Sequence, residues 1–383
     1  MASTLSLNQI LEVQVDRLSV GGRGVARHDG AVIFIERAAP RERLQIRISF
    51  VKKKYAEAVI VKILEASDAR IKPPCPHWSE CGGCSWQHLS YAEQLKQKSS
   101  LVQESLDKFS GFKDFKVKDC LASELEFRYR NRIQVHVQDG SLGFFKKNSH
   151  TIVPIMDCLI TDEKITKKFA NLRKDSSRKK IPSKRPERIE LKLDSNSPDL
   201  DSDLDFSQVN TGQNEVLREL VCNLAKSLMA DKNPLQIFDL YCGGGNLSFP
   251  LSEVFTNSKI IGVELSANSI ATAKAHLKRT KHQGQIEFHQ AKVEDFLKQS
   301  TYDLKSNLVV LDPPRTGCDP VTMQVLAEKK PHSIIYVSCH PATLARDLKF
   351  LSDDYIISMV QPLDMFPQTD HVECIVGLQR RAP

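Results

Sequence analysis

The chain's 383 residues, 41% of them hydrophobic and 26% charged, have the make-up of a soluble protein of two or three domains with proper cores. No apolar run approaches the roughly 18 residues of a membrane span, and "MASTLSLNQILEVQVDRL" has no basic stretch leading into an apolar one, so a cytoplasmic protein without a membrane partner is expected. The net charge of +7 is uneven: residues 1–190 hold 35 Lys and Arg against 23 Asp and Glu, and residues 191–383 hold 19 against 24. A basic half suits a polyanion such as nucleic acid, although a solvated basic surface gives the same balance.

In chain order, residues 8–66 alternate like strands. Leu11, Val13 and Val15 share one face, "AVIFIE" follows the turn "HDG", and Leu44, Ile46, Ile48 and Phe50 alternate with polar partners. Short strands joined by turns such as "GGRG" predict a small β-barrel. Its polar faces carry Arg17, Arg23, Arg27, Arg41, Arg43, Arg47 and Lys52 to Lys54. Next comes "CPHWSECGGCSWQHL", with Cys75, Cys81 and Cys84 spaced C-x5-C-x2-C. In a reducing compartment, clustered cysteines read as metal ligands or catalysts rather than disulfides. Three thiols leave a tetrahedral site one ligand short.

An amphipathic helix is predicted over "YAEQLKQKSSLVQESLDKF", then a second β-rich region in which Arg128, Arg130 and Arg132 would share one strand face suited to phosphate contacts. The basic "RKDSSRKKIPSKRPER" and the acidic "DSNSPDLDSDLD" read as loop and linker.

From about residue 206, strands and helices alternate, which predicts a doubly wound, mostly parallel sheet with ligands at the carboxyl ends of its strands. "FDLYCGGGN" ends one strand in a glycine loop, and "GVELS" ends the next at Glu264, about 20 residues on, placed to accept from a ribose diol. The run from Gly243 to Ser248 lacks the third glycine of a dinucleotide fingerprint. "LDPPRTG" puts Asp312 on a stiff, proline-held strand tip, which suits methyl transfer better than hydride transfer. "SCHPATLARDL" sets Cys339 between a strand end and a helix whose first turn holds Pro341. The helix N-terminus is expected to lower the thiol pKa, although a buried small hydrophobe is the commoner fate of a cysteine. Glu373 precedes the apolar run "CIVGL", where a plain surface carboxylate is the alternative.

Together, "FSQVNTGQN", "FDLYCGGGN", "GVELS", "LDPPRTG", "SCHPATLARDL" and "HVECIVGL" closely resemble the RNA 5-methyluridine (uracil-C5) methyltransferase family, in order and over nearly the whole chain. The barrel looks like a TRAM domain, and the cysteine segment with "IMDC" is similar to the iron–sulfur branch that modifies 23S ribosomal RNA. The resemblance implies an α/β fold with a C-terminal Rossmann-like class I methyltransferase domain, a small OB-like barrel and a central β-rich iron–sulfur domain. Boundaries are expected at 1–68, 69–205 and 206–383.

It further implies that Cys339 adds to uracil C6 and that Glu373 removes the C5 proton, with S-adenosyl-L-methionine as cofactor. Gln208, Tyr241, Asn246, Glu264 and Asp312 would contact that cofactor or shape its pocket. Phe206 would stack on the target base, and Gln208 would also face it. Cys158 would be the fourth ligand to the metal. All-thiolate ligation suits zinc or a [4Fe–4S] cluster; the spacing leans to zinc, and the resemblance implies the cluster, as a structural staple remote from the chemistry. Three positions depart from the family pattern: His340 replaces the usual Asn, Tyr241 replaces Phe, and Ala291 stands where some members have Asn. The expected partner is RNA, most specifically 23S rRNA, and the protein is expected to be a monomer with no obligate protein partner. A tRNA substrate, a non-catalytic RNA-binding module and a nicotinamide oxidoreductase are the alternatives.

Overall fold

Alternating apolar residues close five strands into a barrel, in the computed structural model that describes residues 5–176, 186–193, 208–230, 234–280, 282, 284–299 and 302–381. The strands are β1 (Ile10–Leu18), β2 (Gly24–His28), β3 (Ala31–Ile35), β4 (Arg43–Val51) and β5 (Tyr55–Glu65), ordered β1-β2-β3-β5-β4. Val13, Val15, Ile33, Ile35, Leu44, Ile46 and Ile48 fill its core, as their period of two requires. Phe50 departs from the expected face. The β4–β5 register shifts between Ile48 and Phe50, and the ring emerges to solvent beside the Lys52 ammonium. Part of the basic surface is internally paired, as Arg23 with Glu57 (2.9 Å) and Arg43 with Glu65 (3.1 Å), while Arg27, Arg47, Lys53 and Lys54 are exposed.

After the cysteine segment come α1 (Tyr91–Phe109), β6 (Arg132–Gln138), β7 (Ser141–Phe145), β8 (Ile152–Pro154), α2 (Glu163–Ser176) and β9 (Glu187–Lys192). The four strands form a sheet ordered β8-β7-β6-β9 over a core that includes Ile133, Val135, Ile165 and Phe169. The expected arginine stripe is not formed, because β6 begins only at Arg132 and Arg128 has a φ of 59°. Arg128 turns instead onto Asp157 in a two-pronged ion pair (2.8 and 2.6 Å) and donates to the Cys158 carbonyl (3.1 Å). The basic stretch begins in the last turn of α2 and ends in β9; its residues 177–185, the acidic 194–205 and Phe206 lie outside the described residues.

The remaining elements alternate: α3 (Thr211–Leu228), β10 (Gln236–Leu240), α4 (Ser248–Val254), β11 (Lys259–Glu264), α5 (Ala267–Leu277), β12 (Ile286–Gln290), α6 (Val293–Gln299), β13 (Leu308–Leu311), α7 (Pro320–Lys329), β14 (Ser333–Ser338), α8 (Pro341–Leu348), β15 (Tyr355–Leu363) and β16 (Glu373–Arg380). Seven strands make one sheet, ordered β12-β11-β10-β13-β14-β16-β15. The first five are parallel, and β16 runs antiparallel to both its neighbours. Near-continuous apolar runs such as "LVVL" and "SIIYVS" are fully buried, as strands covered on both faces must be. Strand order reverses between β10 and β13, so the ligand crevice of such a sheet lies at their carboxyl ends.

Packing divides the chain into two compact units. One comprises residues 1–101, 125–193 and 366–371; the other comprises 102–124, 194–365 and 372–383. No described helix is long and apolar enough to cross a membrane.

Candidate active site

Strand register alone brings the candidate nucleophile and base together. β14 pairs antiparallel with β16, and Ser338 stands opposite Cys374. One step further along each chain are Cys339 and Glu373, which the end of the pair brings near enough to interact electrostatically. Asp312 follows the last residue of β13, the parallel neighbour of β14 on its other side. Because β16 runs backwards, its first residue lands on the same sheet edge as the last residues of β13 and β14.

Electrostatics tie these groups together. Burial pushes the Cys339 thiol up to about 11, with Glu373 and Asp312 adding to the rise and the Arg315 guanidinium opposing it. The expectation of a lowered thiol is therefore overturned for the free protein: loss of water around a half-buried sulfur and two neighbouring carboxyls outweighs the helix end. Burial also raises Glu373 well above the ordinary carboxylate range, with Asp312 adding and Arg315 opposing. Asp312 is pushed up to about 7 by burial and by Asp239. Burial thus raises both groups, so each gives up its proton less readily than it would in water.

The loop bearing Asp312 and Arg315 is fastened to α8. Asp347, buried, accepts from the Tyr336 hydroxyl (2.6 Å), the Cys318 N–H (2.8 Å) and Arg346 Nε (2.8 Å). Gly317 has a φ of 78°, and a Cβ there would meet Arg346 and Asp347 at 2.5 Å, so the close approach requires glycine. His340 caps α8: its Nδ1 accepts from the Thr343 N–H at 3.4 Å, the part the usual Asn would play. Sequence reading missed Arg315, Asp239 and Asp347, although all three lie in or beside motifs it quoted.

The expected cofactor residues gather on the same edge. Tyr241 follows β10 with a φ of 65°, a left-handed conformation rare outside glycine, and its hydroxyl lies 3.3 Å from Thr322 Oγ1. Glu264 ends β11; one carboxylate oxygen accepts from Gly243 N–H (3.3 Å) and the other from Ser266 N–H (2.8 Å). Each oxygen keeps a lone pair for a ribose hydroxyl. Asn246 exchanges two amide bonds with Asn214 on α3 (2.9 and 3.0 Å), which pins the glycine loop. The Ala291 N–H already donates to the Glu264 carbonyl (3.0 Å), so only its carbonyl is left for a backbone contact. Gln208 stands half-buried two residues before Asn210, the cap of α3. Asp239 is pushed up to about 7 by burial and keeps one buried oxygen without a partner. The donor set fits S-adenosylmethionine: acceptors for its ribose, and buried carboxyls near neutrality that its sulfonium charge would stabilise in ionised form.

In the other unit, the thiols of Cys75, Cys81 and Cys84 each interact electrostatically with that of Cys158. Burial raises all three, Cys84 to about 12. The Cys81 sulfur accepts from Gly83 N–H (3.4 Å), Gly82 N–H donates to the Phe145 carbonyl (3.0 Å), and Gln87 Oε1 accepts from Cys75 N–H (3.2 Å). The cysteine turn is thereby joined to the C-terminal end of β7. Among the described residues, no three His, Cys, Asp or Glu side chains converge as ligands of a single ion.

Known proteins agree with this architecture. The tRNA (uracil-5-)-methyltransferase family matches residues 200–381, and the TRAM domain matches residues 6–61. An uncharacterized RNA methyltransferase of Bdellovibrio bacteriovorus is 40% identical, covering 97% of this chain and 96% of its own. One from Aquifex aeolicus is 31% identical, covering 96% and 98%. The structure of Pyrococcus abyssi tRNA (uracil-54, C5)-methyltransferase in complex with S-adenosyl-L-homocysteine covers 96% of this chain and 99% of its own. It shares the fold, with a TM-score of 0.72 at 24% identity. An N-terminal TRAM barrel, a class I methyltransferase sheet and relatives aligned end to end leave one conclusion: the chain belongs to the S-adenosylmethionine-dependent RNA uracil-C5 methyltransferase family.

Proposed function

We propose that the protein methylates C5 of a uridine in 23S ribosomal RNA through a covalent adduct on Cys339, with Glu373 as the base. The observation that carries this reading is the register of β14 and β16, which brings Cys339 and Glu373 together beside Asp312. Uracil C5 is too weak a nucleophile to take a methyl group unaided. The Cys339 sulfur, once it has lost its proton, forms a bond to C6, and the C5=C6 electrons move onto C5 and O4 as an enolate. S-adenosylmethionine, when bound, supplies the electrophilic methyl group. C5 then carries both a methyl group and a proton; the ionised Glu373 takes the proton, the C5=C6 bond re-forms and the Cys339 sulfur leaves. Burial serves the second half, because a carboxylate pressed toward neutrality is a stronger base. Arg315, beside both groups, favours the thiolate and the carboxylate that the two halves require.

Cys75, Cys81, Cys84 and Cys158 would hold a [4Fe–4S] cluster, which supplies a cross-link and no electron to methyl transfer. Their mutual proximity, the N–H to sulfur bond at Cys81 and the motif resemblance support this reading. A ribosomal substrate rests on that motif joined to a TRAM barrel. The tRNA reading draws on the printed names of the family and of the Pyrococcus protein. RNA containing 5-fluorouridine tests the chemistry: fluorine cannot leave C5 as a proton, so wild-type protein should stay covalently bound and carry a methyl group. Folded protein that gives no adduct with an RNA it methylates would sink the covalent mechanism. Mapping 5-methyluridine in rRNA and tRNA of a deletion strain decides the substrate.

A further inference from the structure

The four-stranded sheet β8-β7-β6-β9 has one covered face and one open face. Period-two alternation sends Ile133, Val135 and Leu142 inward, where α2 covers them with Ile165 and Phe169. Their neighbours along the strands point the other way, and on that side Gln134, Arg188, Glu190 and Lys192 are exposed. The second face of an antiparallel sheet covered on one side is expected to be polar throughout. This one departs from that rule at its centre. His136 on β6 and Phe145 on β7 stack with ring centroids 3.7 Å apart and planes 17° from parallel, and His150 meets Phe145 edge-on at 5.3 Å. Their strands, β6 and β7, are the two middle strands of the sheet.

Register explains the stack. His136 stands opposite Gly143, so its ring has no side chain in front of it and leans along the diagonal onto Phe145. A side chain at 143 is excluded, because a Cβ there would meet the Val153 carbonyl oxygen of β8 at 1.9 Å. The core beneath is filled without either ring, and both rings stay half-buried. Burial lowers the His136 pKa, with Arg188 and His150 adding, which favours the neutral ring at pH 7. Cations flank the pair. Arg188 on β9 stands opposite His136, and Lys192 stands opposite Arg132. Glu190, in the row between them, is paired with Lys192 at 3.2 Å.

A protein partner is best met by an apolar centre with charges kept to the rim. Here arginine and lysine stand within the face, beside the rings. That mixture suits a nucleotide: its base has a flat π face to lay on a ring, and its phosphate supplies the negative charge that the cations lack. A duplex spends its base faces on its own stack, so only unpaired nucleotides can use the rings. We infer that the outer face of the β6–β9 sheet is a stacking platform for single-stranded RNA, with His136 and Phe145 taking bases and Arg132 and Arg188 taking phosphates. The inference rests on the reading of RNA as the substrate and deepens it, because it names the form in which that RNA is held: unpaired, and gripped with little regard to sequence.

The test uses full-length protein and a single strand of about ten nucleotides, a typical site size, made of A and C only, with the same strand annealed to its complement as the duplex control. Phe145→Ala should weaken binding of the single strand by about 5- to 100-fold and binding of the duplex by less than about twofold. Phe145→Tyr keeps the ring and should bind the single strand within about twofold of wild type. Wild-type protein irradiated with the strand carrying 5-iodocytidine should crosslink at His136 or Phe145, a readout that needs no variant and decides the matter if Phe145→Ala does not fold. Unchanged affinity in folded Phe145→Ala overturns the inference and leaves the rings as a cross-strand staple, as do crosslinks that all fall outside the sheet. Equal losses on single strand and duplex overturn it too, as does wild-type protein that shows no preference for the single strand. Because the strand holds no uracil, Cys339→Ala should bind it as wild type does, and a failure of the methylation reading would leave the result on the platform untouched.

Discussion

Two sets of cysteines make an instructive pair. Burial raises the Cys84 thiol to about 12 and the Cys339 thiol to about 11, so desolvation acts on both in the same direction. Their company differs. Around Cys84 the charged neighbours are two further thiols and Arg130. Around Cys339 they are two carboxyls and one guanidinium. The first company suits the proposed metal cluster, which would take the place of several protons at once. The second can pass a single proton between acids. The two proposed roles, staple and nucleophile, thus differ in the environment of the thiol rather than in its pKa.

The sharpest way to break that contrast is to remove each sulfur in turn. Cys339→Ala should abolish methylation, a loss on the order of 10⁶-fold as for other deleted nucleophiles. Its S-adenosylmethionine affinity should stay within about threefold; a larger loss would make Cys339 a structural residue. Glu373→Gln should lower turnover by about 10²–10⁴-fold while covalent RNA accumulates on a denaturing gel. Normal turnover in that variant would point to another base. Cys84→Ser should act elsewhere. If the four thiols hold the proposed cluster, metal content should fall and their unit should lose several kcal/mol of stability, read as a lost or lowered melting step. RNA affinity should drop with it while S-adenosylmethionine affinity holds. If Cys84→Ser keeps its melting profile and RNA affinity, the four-thiol staple is disproved.

Protons offer a gentler probe of the same contrast. In the proposed mechanism Cys339 reacts as the thiolate, and its raised pKa leaves most of it protonated at pH 7. Below about 11 the thiolate fraction grows tenfold per pH unit, so kcat/KM should climb with a slope near +1 from pH 7 to 9. A flat profile over that range would show that the thiol is already ionised, in the field expected of the helix end.

Much of this was legible in the sequence, for identifiable reasons. Period-two alternation gave the barrel, and apolar runs punctuated by glycine and proline gave the parallel sheet, because those patterns follow from burial alone. The candidate site was legible at strand ends, where Glu264, Asp312 and Cys339 each follow an apolar run. Three features were not legible. The alternating Arg128, Arg130 and Arg132 mimic a strand face, yet the Arg128–Asp157 ion pair pulls the chain out of extended geometry, and only tertiary contact reveals this. The rise in the Cys339 pKa depends on Glu373, which lies 34 positions away in sequence and comes near it only through antiparallel pairing. Asn246 reads as a cofactor residue in its motif, but its amide is occupied by Asn214, a partner no local pattern indicates.

The smallest effect concerns the one departure beside the nucleophile. Asn is among the best helix caps because its short side-chain oxygen reaches the N–H two or three residues on. His340 does this with Nδ1 at 3.4 Å, a long bond for a cap, and doing so requires that nitrogen to be unprotonated. The histidine cap is therefore weaker than an asparagine cap and is lost when the ring takes up a proton on Nδ1. His340→Asn should raise stability by up to about 1 kcal/mol. Parallel melts of wild type and variant give the comparison. A variant that melts no higher than wild type would mean that asparagine caps Thr343 no better, and the substitution beside Cys339 would need another explanation than capping.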